Sequence, residues 1–157
     1  MAFESTNKQS KKPLLAASLF LGLGMGGFLD GIILHQILQW HQMISAKLPP
    51  DTLLNKEVNM FWDGIFHLFT WSFTLAGIVL MWRVVNRKDV LRSTPVFWGG
   101  MVLGWGIFNL MDSIFNHYIF NLHNVREQVG NPAMWNHGFL VFSILLILGG
   151  VFLIKQR

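Results

Sequence analysis

Asp30, His35 and His41 lie in or at the end of an apolar stretch, and Asp112, His117 and His123 repeat the set 82 residues later without a gap. Imidazole and carboxylate together suit Zn, Fe, Mn or Cu(II). Ionisable side chains in apolar segments are costly and mark function. Asp63 and His67, four residues apart, share one face of a helix, and His137 adds a sixth imidazole. On an ideal α-helix Asp30 and His35 point about 140° apart, so a shared ion demands a local distortion. The spacing therefore makes His35, His67, His117, His137 and Asp63 the expected metal ligands. Asp30 and Asp112 form a deeper layer that orients histidines or bridges a second ion. His41, His123 and Met43 are expected at the mouth, where an arriving ion meets them first; thioethers there favour Cu(I).

Three other chemistries use the same residues. A haem iron between paired histidines, His35 with His117 or His67 with His137, is one. A proton relay through Asp and His is the second. The third is a hydrogen-bonded network that fixes helix register and does no chemistry. No phosphate-binding glycine loop or nucleophilic triad stands out, and no residue is assigned as catalytic.

Apolar segments must position these groups. The chain has 157 residues, 52% hydrophobic and 13% charged, with no Cys, a composition of a polytopic membrane protein. The absence of Cys excludes disulfides, thiolate zinc sites and iron–sulfur clusters. A cytoplasmic tail over 1–12 is expected to precede a single membrane domain over 13–157. Apolar runs over about 14–40, 59–82, 95–120 and 133–154 lack strand-like alternation and read as four transmembrane helices. Of the twelve Lys and Arg residues, all but Lys47, Lys56 and Arg126 lie in the N-terminal tail, the 83–94 loop or the C-terminus. The positive-inside rule thus places both termini in the cytoplasm. The net charge of +4 speaks to topology and not to nucleic acid. The titratable residues then gather near the extracytoplasmic face.

Glycines repeat along with the polar residues: Gly22 maps onto Gly104 and Gly24 onto Gly106. Trp62, Phe66 and Gly77 map more weakly onto Trp135, Phe139 and Gly150. The fold expected is all-α, a four-transmembrane-helix bundle of two tandem helical-hairpin repeats. Gly22/Gly26, Gly27/Gly31 and Gly100/Gly104 are small-xxx-small pairs that let helices approach closely.

The run Gly27-Phe28-Leu29-Asp30-Gly31, followed by His35-Gln36, Leu38-Gln39-Trp40-His41 and Phe61-Trp62-Asp63-Gly64 with His67, resembles an uncharacterised bacterial family of small four-helix inner-membrane proteins, a domain of unknown function. The resemblance covers nearly the whole chain. It implies a location in the bacterial inner membrane and a link to respiratory metal handling, through copper insertion into an oxidase. Gln42 stands where a further His is expected in many relatives. Two classes of function follow. One is a metal-dependent membrane enzyme with an open coordination position. The other is a copper-handling protein serving respiratory oxidase assembly. A di-histidine haem protein is the further alternative. The bilayer is the expected partner, and self-association is left open.

Overall fold

The structure is a computed structural model and describes residues 9–156. The first eight residues of the expected tail lie outside the described residues. Four helices form: α1 (Lys12–Leu29), α2 (Leu53–Val85), α3 (Thr94–Asp112) and α4 (Pro132–Lys155). α1 and α3 run on without a break into π-helical segments, Asp30–Ile37 and Ser113–Ile119.

The helix starts follow local chemistry. Thr52, Ser93 and Asn131 each cap a helix by accepting from the backbone N–H three residues on, at 3.2, 3.4 and 3.3 Å. Pro13, Pro95 and Pro132 sit in the first turns, where a missing N–H costs nothing. The Thr52 cap starts α2 at Leu53, earlier than the expected 59. At 33 residues α2 is about 50 Å long, more than a hydrocarbon core of about 30 Å requires.

α1 and α3 form the central pair. α2 packs on α1 and α4 packs on α3, while α2 and α4 do not meet. Gly22 lies against the backbone of Met101, and Gly104 against that of Leu19 and Leu23. A side chain at either place would force the two backbones apart. Neighbours step in the same direction along both helices, Ser18 with Gly100 and Gly26 with Trp105, so α1 and α3 are parallel. α2 and α4 run antiparallel to their partners, as Gly77 beside Leu21 and Gly99 beside Ile154 show.

Large apolar side chains cover the outside, Leu53, Leu68, Trp82, Leu148 and Phe152 among them, and buried polar side chains outnumber buried apolar ones. That distribution is inverted relative to a soluble domain. An apolar cluster of Leu14, Ala17, Val84, Val90 and Val96 closes one end. Ser10 seals it through a parallel bridge to Val90, donating to the Asp89 carbonyl at 2.9 Å and accepting from Leu91 N at 3.1 Å. The opposite end holds the polar residues.

Lys12–Ile37, Leu53–Val85 and Pro132–Lys155 are long and apolar enough to cross a membrane. The expected span over 95–120 is not among them. α3 carries Gly99, Gly100, Gly104, Gly106 and Asn109, all buried. Residues that let it nest between α1 and α4 dilute its apolar character.

Candidate metal centre

A change of helical pitch sets up the site. Leu38 N donates to the Ile33 carbonyl and Phe120 N to the Phe115 carbonyl, each at 2.8 Å and five residues back. This wider turn brings residues five apart onto one face, and such turns cluster at functional sites. Asp30 Oδ2 comes to 3.4 Å from His35 Nε2, and Asp112 Oδ2 to 3.2 Å from His117 Nε2. The distortion that a shared ion requires is therefore present in both helices.

Both chains then turn sharply. Gln39 and Asn121 adopt left-handed backbone, with φ of 50° and 48°. Trp40 N bonds back to the Leu34 carbonyl at 2.9 Å and Leu122 N to the Asn116 carbonyl at 2.7 Å. These turns fold His41 and His123 inward. His41 Nδ1–H donates to the Val125 carbonyl at 2.8 Å, and His123 Nδ1–H donates to the Met43 carbonyl at 3.0 Å. Each loop thus holds the other loop's imidazole.

Four imidazoles converge: His35, His41, His117 and His123, all buried. Their ring centres lie 4.4 Å apart for His35–His41 and His41–His123, and 4.9 Å for His117–His123. Ligating atoms of His35, His41 and His123 fall within 4.8 Å of one another, as do those of Asp112, His117 and His123. His35 Nδ1–H donates to Asp63 Oδ1 at 2.9 Å. With Nδ1 as the donor in His35, His41 and His123, Nε2 points into the cluster, and in the neutral ring it keeps the lone pair with which histidine binds metal. The Nε2 atoms of all four histidines are buried without a hydrogen-bond partner among the described residues, as are both oxygens of Asp30 and Asp112 Oδ2. An orphaned buried group costs about 1–3 kcal/mol, and here the nearest opposite groups are the carboxylates themselves, Asp30 Oδ2 at 3.4 Å from His35 Nε2 and Asp112 Oδ2 at 3.2 Å from His117 Nε2.

The two halves of the site differ. Asp63 Oδ1 also accepts from Met43 N at 2.8 Å. Its counterpart, 73 residues on, is Asn136, whose Oδ1 accepts from Val125 N at 2.9 Å and whose Nδ2 donates to Asn124 Oδ1 at 2.8 Å. His117 Nδ1 has no partner. Phe66 stacks on His35 at 5.3 Å and Phe139 leans on His117 at 5.6 Å.

Of the expected ligands, His35 and His117 are in the cluster and Asp63 supports it from behind His35. Asp30 and Asp112 lie against the cluster, next to His35 and His117. His41 and His123, expected at the mouth, are instead 3% and 1% exposed at its centre, because the left-handed turns reverse the chain. Met43 contributes backbone: its N–H holds Asp63 and its carbonyl holds His123. His67 stands aside, against Phe28 and Phe66. His137 is exposed, with Nδ1 donating to the Ala133 carbonyl of its own helix at 2.6 Å, and does not join the cluster. Asn136, Asn124 and Val125 were missed. Their signal was the alignment of Asn136 with Asp63.

Burial pushes the His41 imidazole well below its ordinary value, and His123 and His35 push it further. Burial also disfavours charge on His123, but the Asp112 carboxylate beside it draws its value up. His41 is thereby a neutral donor, while on His123 a proton competes with any ion. Burial likewise raises the Glu127 carboxyl.

A family model described as "Predicted membrane protein (DUF2243)" matches residues 17–157. Among curated proteins and among solved structures, nothing matches the chain.

Proposed function

The chain belongs to this family of predicted membrane proteins of unknown function, and we propose that it is a multi-pass membrane protein whose His/Asp cluster holds one or two transition-metal ions. The ligands are His35, His41, His117 and His123, with Asp30 and Asp112. The observation that carries this reading is the convergence of four buried Nε2 atoms without hydrogen-bond partners among the described residues, three of them on rings held by a hydrogen bond at Nδ1.

The donor set is nitrogen and oxygen, which suits Fe, Mn, Zn or Cu(II) better than Cu(I). Such an ion would supply Lewis acidity or redox chemistry. The chain's own part is to orient the imidazoles through Asp63, Val125 and Met43 and to keep the donors dry between Phe66 and Phe139. A metal-dependent membrane enzyme is favoured over a copper carrier for an oxidase, because the carrier's exchangeable ligands, His41 and His123, are buried. Rings 4.4 to 6.5 Å apart leave no room for a macrocycle between those pairs, which counts against haem there.

In this reading α3 is a fourth span, shielded from lipid by α1 and α4, and the two hairpins are tandem duplicates. Both termini are cytoplasmic and the site lies near the extracytoplasmic face of the membrane. Elemental analysis of the purified protein tests the proposal. About one to two ions per chain are expected from the number of convergent donors, with loss of metal when His41 and His123 are both replaced by Ala. Folded protein that purifies metal-free from metal-replete cells, or metal content that survives both substitutions, overturns it.

A further inference from the structure

Two apolar clefts flank the central helix pair. One, of about 530 Å³, opens between α1, α3 and α4; the other, of about 360 Å³, between α1, α2 and α3. They are built on matching positions. Asp30, Val125, Trp135 and Phe139 line the first where Asp112, Met43, Trp62 and Phe66 line the second. Differences between them are therefore informative.

In the smaller cleft Asp112 is engaged: Asn116 Nδ2 donates to its Oδ1 at 2.7 Å. Leu34 replaces Asn116 in the larger cleft, and among the described residues Asp30 has no hydrogen-bond partner, only His35 Nε2 at 3.4 Å from its Oδ2. The larger cleft also gains Asn109, 2% exposed, whose Oδ1 has no partner; the matching place in the first half is Gly27. It gains two further flat walls as well, Trp40 and Trp105, where the chain's matching positions are Leu122 and Leu23. Arg126 lies over the Trp40 and Trp135 rings, at 4.9 and 5.1 Å. The sum is a slot with aromatic walls and buried hydrogen-bond acceptors. Its apolar rim residues Leu29, Ile33 and Met134 are exposed on the surface read as facing lipid.

We propose that this cleft binds a bilayer-dissolved phenol of the hydroquinone type, its ring against Trp105 and Trp135 and one hydroxyl donating to Asn109 Oδ1. The chemistry follows from what the slot lacks. Unpartnered acceptors select a ligand that donates, and a buried acceptor left unpaired penalises an analogue that cannot. A lipid acyl chain fills the volume but leaves Asn109 Oδ1 unsatisfied. The site needs no metal, and so stands or falls separately from the metal reading.

The test uses the full chain in lipid nanodiscs. Tryptophan quenching is followed with a short-tailed hydroquinone and with its di-O-methyl ether, which keeps ring and tail but cannot donate. The hydroquinone is expected to bind about tenfold or more tightly than the ether. Asn109→Leu erases that preference, Asn109→Asp retains it, and Trp105→Leu reduces the quenching. Thermal unfolding of each variant confirms that it is folded. Equal binding of the two probes, no saturable binding, or a preference that survives Asn109→Leu overturns the proposal and leaves the cleft to lipid. Metal measured on the same samples separates the two readings. Retained hydroquinone binding in metal-free protein sinks the metal reading alone.

Discussion

Asp63 and Asn136 hold matching backbone groups, Met43 N and Val125 N, yet only Asp63 also receives an imidazole N–H, from His35. A carboxylate behind a ligating histidine orients it and raises its basicity, and losing such a partner typically costs 10–100-fold in metal affinity. Asp63→Asn installs a side chain the fold already accepts at the equivalent position and keeps an acceptor for Met43 N. Its expected result is a fall in affinity of about 10–100-fold at nearly unchanged thermal stability, read by competition with a coloured chelator. pH acts through His123, whose value Asp112 draws above 6.5. That proton must leave before the ion binds. Affinity is therefore expected to climb as pH rises past 6.5 and to level off beyond the raised value. Calorimetry in buffers of different ionisation heat reads the released proton, and no proton release would contradict the assignment. At this scale the sequence already displayed the donor types. It did not display their partners, because Val125 and Met43 act through backbone carbonyls that carry no residue-specific signal.

At the scale of elements, two parallel helices in backbone contact fix the separation of the π-helical segments. Gly104 presses on the backbone of Leu19 and Leu23, whereas Gly149 has open space where a side chain would go. Overpacking such a crossing costs about 1–3 kcal/mol or more. Gly104→Leu should lower the thermal midpoint and abolish metal binding together, and Gly149→Leu should do neither. A Gly104→Leu protein with normal metal content would mean that the helix crossing does not set the site. The helices themselves were legible from apolar runs. The wider turns were not: a 3.6-residue period leaves Asp30 and His35 diverging, and that conflict was the one hint of distortion.

For the whole molecule, the inverted burial pattern and the charge bias lead to a testable topology. The chain has no native Cys, so single cysteines report cleanly. In intact cells an impermeant maleimide is expected to label Lys47→Cys and to label Arg87→Cys only after lysis. The reverse pattern would turn the molecule over and place the site at the cytoplasmic face.

The sequence alone determined the class of the molecule and the kinds of donor it carries. Lipid demands long apolar helices, and ionisable groups among them stand out. Only the tertiary structure decided which histidines meet. His41 and His123 swing inward through left-handed turns at Gln39 and Asn121, held by carbonyls 84 and 80 residues away. His137, which looked equivalent in type and depth, faces outward. Contacts at that distance arise from the packing of α1 against α3, and residue spacing along a single helix does not encode them.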